Sequence, residues 1–163
     1  GHMGLQILLA TTGSRIIGLD TDAEKLAFAE SKGAIAIPSD GEAAGKILEL
    51  TNGIGADVVF DFVGVQPTVN TALAAVRNGG AIRFVGLGGG SFPYLAGSDP
   101  SLPWGVNIER AYGGTRSEMR QAIALARDGK IGVEVKRYSL DDAVQAFDDL
   151  HHGRVQGRAV LVP

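Results

Sequence analysis

The side chain best placed for chemistry is the carboxylate of Asp20, which ends an apolar run over residues 16–19 and directly precedes a helix signal. An acid at this point is typical of the second strand of a dinucleotide-binding βαβ unit, where it accepts hydrogen bonds from the adenosine ribose. It favours a free 2′-hydroxyl and repels a 2′-phosphate, so it predicts NAD rather than NADP. Lys25, one turn into the following helix, can reach the same ribose edge. A solvated strand-end acid and an exposed helical lysine are the ordinary alternatives.

Two further strands end in the same pair of residues, as Val63-Gly64 and Val85-Gly86. In open α/β sheets ligands bind outside the carboxyl ends of the strands. A glycine there lets the backbone approach a flat ring, and Val63 and Leu87 supply apolar contact. The sequence therefore predicts a ring-binding edge, with glycines needed only for turns as the alternative.

Basic residues near the end of the chain form a third group of candidates. Arg158 enters the last predicted strand, where its cation could meet a phosphate or merely flank an edge strand. His151 and His152 end a helix, where a basic residue suits the dipole, and we interpret them as structural. No Ser/His/Asp set and no metal-ligand spacing is present, so we predict neither catalytic residues nor a metal site.

Composition narrows the class of protein. The 163 residues carry a net charge of −3 with no cluster of Lys and Arg, which argues against nucleic acid and membranes as partners. No apolar stretch approaches the roughly 20 residues that span a bilayer. There are no cysteines, which excludes disulfides and thiolate metal sites. A small-molecule substrate and a cytoplasmic location are the resulting expectations.

Capping and periodicity signals predict a regular alternation of strands and helices. Predicted strands cover 15–20, 34–37, 57–63, 81–87, 106–112, 133–138 and 158–162. Predicted helices cover 4–12, 22–32, 42–52, 67–77, 118–128 and 140–152, with Thr21, Ser117 and Ser139 as N-caps and Thr21 forming a capping box with Glu24. The Gly-, Pro- and Ser-rich stretch 88–105 predicts a long loop. The alternation predicts an α/β fold with a doubly wound, mostly parallel sheet of Rossmann type, truncated at its N-terminus.

The truncation follows from the position of Asp20. A first strand and a glycine-rich phosphate turn belong roughly 20 residues before this acid, whereas residue 1 lies only 19 positions before it. We therefore expect that strand and turn to be missing and NAD affinity to be weak, about millimolar or worse, without the helix N-terminus that binds phosphate. We also expect strands 15–20 and 57–63 to pair with each other, the chain to form a swapped dimer, or both.

Six stretches together resemble the zinc-type medium-chain alcohol dehydrogenases. They are GLQIL, IIGLDTDAEKLAFAESKGA, ADVVFDFVG, NGGAIRFVGLGGG, YGGTRSEM and GRVQGRAVLVP, and they extend from Gly4 to Pro163. The resemblance implies an oxidoreductase that transfers hydride between NAD and an alcohol or carbonyl. In that family zinc is held by a separate N-terminal catalytic domain of which this chain has no part. We therefore expect the chain alone to be inactive.

The resemblance also implies roles for individual residues. Asp20 and Lys25 correspond to the ribose-binding acid and its basic neighbour. The remaining cofactor residues are implied on the nicotinamide side (Phe62, Val63, Thr68, Val85, Gly86, Leu87 and Tyr112) and at the pyrophosphate (Arg158). Strand 106–112 pairs with its twin across a dimer in the family, which implies a homodimer or higher oligomer.

The predicted domain division follows the same resemblance. Residues 4–137 form a partial dinucleotide-binding domain, and residues 138–163 correspond to the segment that returns to the catalytic domain. Two alternatives stay open at this point. One is the cofactor domain of a zinc-free quinone or enoyl reductase, a branch that favours NADPH. The other is a non-catalytic nucleotide-binding or interaction domain.

Overall fold

The computed structural model describes residues 1–92, 94–95 and 102–163. Within these residues the helices are α1 His2–Thr11, α2 Ala23–Ser31, α3 Ala43–Leu50, α4 Gln66–Ala75, α5 Arg116–Arg127 and α6 Ala143–His151. The strands are β1 Ile17–Asp20, β2 Ile35–Pro38, β3 Ala56–Asp61, β4 Val76–Phe84, β5 Asn107–Arg110, β6 Val135–Ser139 and β7 Arg158–Val162. Every predicted element is present, although most are shorter by a few residues. The predicted loop 88–105 lies partly outside the described residues.

The strands pair in three groups, β1 with β2, β3 with β4 and β5, and β6 with β7. β4 runs parallel to both β3 and β5, and β6 runs parallel to β7. This confirms the predicted mostly parallel α/β fold. Among the described residues β1 pairs only with β2, so the predicted pairing of strand 15–20 with strand 57–63 is wrong. The backbone of β1 bonds towards β2 instead, as in Ser39 N–H donating to the carbonyl of Asp20 at 2.9 Å.

Several local predictions need correction. Ser117 lies inside α5, which begins at Arg116, and Ser139 ends β6, so that the N-cap of α6 is Asp142. The N-cap of α2 is Asp22 and not Thr21, because Asp22 Oδ1 accepts from the amides of Glu24 and Lys25 at 2.9 and 3.1 Å. β4 begins directly after α4, at Val76, rather than at residue 81. A register shift against β3 carries the strand through Gly79, whose φ of +68° suits glycine.

The chain divides into two compact units. One comprises 17–26 and 36–115, and we call it the strand-end unit. Its core centres on Ala72, Val76 and Ile82, of which Ile82 is fully buried. The parallel strands β3, β4 and β5 and helix α4 build this core, and their carboxyl ends carry most of the predicted site residues.

The second unit comprises 1–16, 27–35 and 116–163, and we call it the terminal unit. Here the Gln6 amide both donates to and accepts from the backbone of Gly132 at 2.9 Å, which ties α1 to the segment after α5. Tyr138 on β6 is buried and donates to Asp149 on α6 at 2.8 Å. Arg158 begins β7 in this unit. The predicted domain division at residue 138 stays a prediction. Of the helices in the described residues, none combines the length and apolarity that a membrane crossing requires.

Candidate functional site

Asp20 is the last residue of β1, as its predicted role requires. Its Oδ1 accepts from the amide of Asp22 at 3.1 Å and lies 3.9 Å from the Lys25 ammonium. The Asp20 side chain is 36% exposed, so a ligand can reach the carboxylate. Because Asp22 caps α2 directly after this turn, the backbone fixes where Lys25 emerges from the helix. The structure thus brings together the acid and the basic residue that the sequence predicts for the ribose edge.

The segments that follow β3 and β4 meet through their backbones. The amides of Val85 and Gly86 both donate to the carbonyl of Asp61, at 2.8 and 2.9 Å. Further out, Gly88 donates to the carbonyl of Val63 at 3.0 Å and Gly90 to that of Gly64 at 2.8 Å. The strand ladder therefore continues past the ends of both strands as one connected edge.

Gly86 is required at this edge by the neighbouring backbone. A Cβ at residue 86 would lie 2.2 Å from the carbonyl carbon of Val63, far inside any real contact. At Gly64 a Cβ would lie 2.7 Å from the carbonyl oxygen of Gly86, and its φ is +74°. The sequence predicts these glycines for the approach of a ring. The structure shows that they first allow the two strand-end segments to approach each other.

Asp61 is the last residue of β3 and is only 6% exposed, and its side chain bonds the backbone of this edge. Its Oδ1 accepts from the amides of Val63 and Gly64 at 2.9 and 2.8 Å, and its Oδ2 accepts from the Thr68 hydroxyl at 2.8 Å. The Thr68 hydroxyl also points at the carbonyl of Val65 at 3.0 Å. Since its single proton is directed at protein acceptors, the oxygen of Thr68 can only accept from a cofactor.

Beside this edge lies an open cleft of about 420 Å³. Its walls include Gly64, Gly86, Leu87, Phe84, Phe92 and Arg110. Phe84 and Phe92 stack at 5.9 Å between centroids. The Gln66 side chain bonds both backbone groups of Ser91, at 2.8 and 3.0 Å, and so anchors the loop that forms one wall. The combination of apolar faces and close backbone suits a flat heteroaromatic ring.

The other predicted residues lie after the ends of β3, β4 and β5 or in the terminal unit. Phe62, Val63, Val85 and Leu87 are each at least 38% exposed at this edge, where they are free to contact a ligand. Tyr112 follows β5 and is almost fully exposed. Arg158 lies in the terminal unit and donates to the carbonyl of Gly157 at 3.3 Å. Its role at a pyrophosphate stays a prediction.

Sequence reasoning missed Asp61, Gln66 and Arg110. For Asp61 a signal was available, because Asp20 and Asp61 both end an apolar strand and both accept from the amide two residues later. This is the Asx-turn geometry that Asp favours. Gln66 and Arg110 carry no comparable signal, since their roles depend on tertiary contacts.

The electrostatics of the β2 end are set by a local ion pair. The Lys46 ammonium donates to Asp40 Oδ2 at 3.1 Å, and this hydrogen bond holds the pKa of the Asp40 carboxyl below its usual value. Among the described residues no group of three or more His, Cys, Asp or Glu side chains could hold a metal ion. The residues described here therefore offer no donor set for a catalytic zinc.

Comparisons with known proteins bear on the family. A model of the zinc-binding dehydrogenases matches residues 1–128. An NAD-dependent alcohol dehydrogenase of Sulfolobus acidocaldarius is 34% identical over 163 residues, which is 99% of this chain and 46% of that protein. The alcohol dehydrogenase of Aeropyrum pernix superposes with a TM-score of 0.89 at 34% identity, covering 100% of this chain and 47% of that one.

A more distant match is the quinone oxidoreductase of Pseudomonas syringae, with a TM-score of 0.82 at 28% identity over 100% of this chain and 53% of that one. The chain spans about half the length of these relatives. The resemblance seen in the sequence is thereby confirmed, and the chain belongs to the zinc-binding dehydrogenase family, in which it matches the NAD-binding half of the full-length proteins.

Proposed function

We propose that this chain supplies the NAD-binding part of an alcohol dehydrogenase that transfers hydride between an alcohol and its carbonyl partner. The observation that carries the proposal is Asp20, which stands at the carboxyl end of β1 with a reachable carboxylate and Lys25 beside it. An acid in that place accepts from the two hydroxyls of an unphosphorylated adenosine ribose.

The chain's own residues bind and orient the cofactor. Asp20 holds the adenosine ribose, and the edge formed by residues 62–64 and 85–87 presents backbone and apolar side chains to the nicotinamide. NAD, when bound, supplies the hydride chemistry at that ring. Zinc, if the rest of a full-length enzyme held it, would supply Lewis-acid chemistry at the substrate oxygen, and none of the residues described here would hold it.

The first test is the choice between NAD and NADP. Amide chemical shifts of the 163-residue chain are followed by NMR during titration with each cofactor, because this method measures millimolar affinity. We expect NAD to bind at least about tenfold more tightly than NADP, since a 2′-phosphate meets the Asp20 carboxylate. Asp20→Ala should weaken NAD binding and reduce the difference between the affinities for NAD and NADP. Asp57 is an acid on β3 that serves as the control, and Asp57→Ala should change neither the NAD affinity nor the NADP affinity. Equal affinity for both cofactors in the wild type contradicts the proposal.

We further propose that the chain alone has no dehydrogenase activity. In support, it spans only 46% of the Sulfolobus acidocaldarius relative. An assay with NAD, simple alcohols and added zinc should give no NADH above the protein-free rate. Measurable turnover would overturn this part of the proposal.

The second candidate is a zinc-free quinone or enoyl reductase, which the match to the Pseudomonas syringae protein favours. The NMR titration separates the two, because that branch prefers NADPH. A chain that binds neither cofactor would instead support a non-catalytic interaction domain.

A further inference from the structure

Asp61 is a buried acid whose partners are all uncharged. It is 6% exposed, and its carboxylate receives two amides and one hydroxyl. Within the part of the chain that the structure describes, no Lys, Arg or His makes an ion pair with it. A carboxylate buried without a cation is costly, and it persists where the geometry that it imposes is needed.

The geometry that it imposes joins three segments. The side chain fixes the backbone of residues 62–64 and the first turn of α4 at Thr68. Its main-chain carbonyl fixes Val85 and Gly86 after β4. The two effects are coupled, because the backbone of Val63 fills the space where a Cβ on Gly86 would lie. A shift of residues 62–64 therefore moves the neighbouring segment as well.

We propose that Asp61 is the positioning residue for the nicotinamide end of the site, acting through residues 62–64 and Thr68 without touching the cofactor. This rests on the proposed function, since those segments are the ones assigned to the nicotinamide. The carboxylate suits the task because it is acceptor-only and can receive all three donors at once. It holds the edge in its binding shape before the ligand arrives, which removes an ordering cost from binding.

The test compares two ligands that differ only at the nicotinamide, NAD and ADP-ribose. Both contain the adenosine ribose that Asp20 is proposed to hold. Affinities are measured by NMR titration for the wild type, Asp61→Ala, Asp61→Asn and the control Asp57→Ala. Asp57 is an exposed acid on the same strand, paired with Arg77.

We expect Asp61→Ala to weaken NAD by about tenfold or more while ADP-ribose changes by less than about threefold. Asp61→Asn keeps an acceptor for the two amides, and its amide group can donate to the Thr68 oxygen. It should therefore restore the wild-type ratio of the two affinities. Asp57→Ala should leave that ratio unchanged.

The outcomes distinguish failure of the positioning role of Asp61 from failure of the proposed NAD-binding function. A wild type that binds neither ligand overturns the proposed function and the role of Asp61 together. A wild type that binds both, with Asp61→Ala weakening them equally or not at all, overturns the positioning role alone.

A measurement on the wild type covers the case in which Asp61→Ala fails to fold. Exchange of the Val63 and Gly64 amides should slow when NAD binds and stay unchanged with ADP-ribose. Equal slowing with both ligands also overturns the positioning role.

Discussion

At the scale of single residues, two acids end strands at the candidate site, Asp20 after β1 and Asp61 after β3. Asp20 stands where the βαβ pattern predicts it, because an acid after an apolar strand is a local signal. Thr68 is also predicted for the site, yet its hydroxyl is directed at Asp61 and Val65. That preference depends on a carboxylate seven residues away and on the bend between them, which no local pattern encodes.

The first prediction at this scale concerns Gly86. Gly86→Ala should lower the free energy of unfolding by about 1–3 kcal/mol, because the new methyl overlaps the Val63 backbone and forces the strand ends apart. Gly45→Ala is the matched control, since Gly45 lies in α3 with open space around it. The control should raise stability by about 0.5–1 kcal/mol through helix propensity. Urea unfolding of the three proteins measures both effects, and a neutral Gly86→Ala would contradict the close packing.

At the scale of elements, prediction succeeds where the signals are local. Pro67 lies in the first turn of α4 as expected. Ser139 accepts from the amide of Asp142, but it ends β6, and the N-cap of α6 is Asp142, so this predicted cap lies three residues too early. The N-cap of α2 is misplaced by one residue because Thr21 and Asp22 are both good caps. The chain uses Asp22, the residue whose amide the Asp20 turn engages. The sequence does not predict the start of β4, because Asn78-Gly79-Gly80 has the composition of a helix stop. In the structure these residues belong to β4, at the point where its register against β3 shifts.

In the terminal unit one carboxylate joins β6 to α6. Asp149 accepts from Lys136, Tyr138, Gln145 and Arg154 at 2.8–3.0 Å. The hydrogen bond from Lys136, followed by those from Tyr138, Gln145 and Arg154, lowers the pKa of Asp149 well below its usual value. All four donors stabilise the charged form of Asp149.

A pH dependence of stability follows from this lowered pKa. The folded state binds the Asp149 proton less tightly than the unfolded chain, whose aspartate pKa is about 3.9. The stability that Asp149 contributes is therefore complete above about pH 5 and is lost as the pH falls below about 4. Urea unfolding at pH 6 and pH 3 should show a large stability difference between wild type and Asp149→Asn at pH 6 and a smaller one at pH 3. The control Asp141→Asn should show little difference at either pH, and a difference for Asp149→Asn that grows towards pH 3 would refute the account.

At the scale of the whole molecule, the sequence predicts the fold class and the order of elements, and the structure confirms both. It does not predict how the strands divide among sheets. The sequence pattern predicts that strand 15–20 pairs with strand 57–63, but in the structure β1 pairs with β2, and β3 pairs with β4. The apolar pattern of each strand specifies burial and not a partner, so pairing is decided by which strands the connections bring side by side.

The last prediction concerns assembly, which the family resemblance implies through the strand at 106–112. β5 is an edge of its three-stranded sheet, and Tyr112 beyond it is 98% exposed. Open edges and large exposed aromatic groups favour association between copies. We expect sedimentation equilibrium at micromolar concentration to give a dimer or larger species, and Tyr112→Lys to raise the dissociation constant by about tenfold or more, as loss of an aromatic anchor does. Tyr94→Lys, at another exposed tyrosine, should leave the dissociation constant unchanged. A wild type that sediments as a monomer at all concentrations, or equal weakening by both substitutions, would place the interface elsewhere or show that there is none.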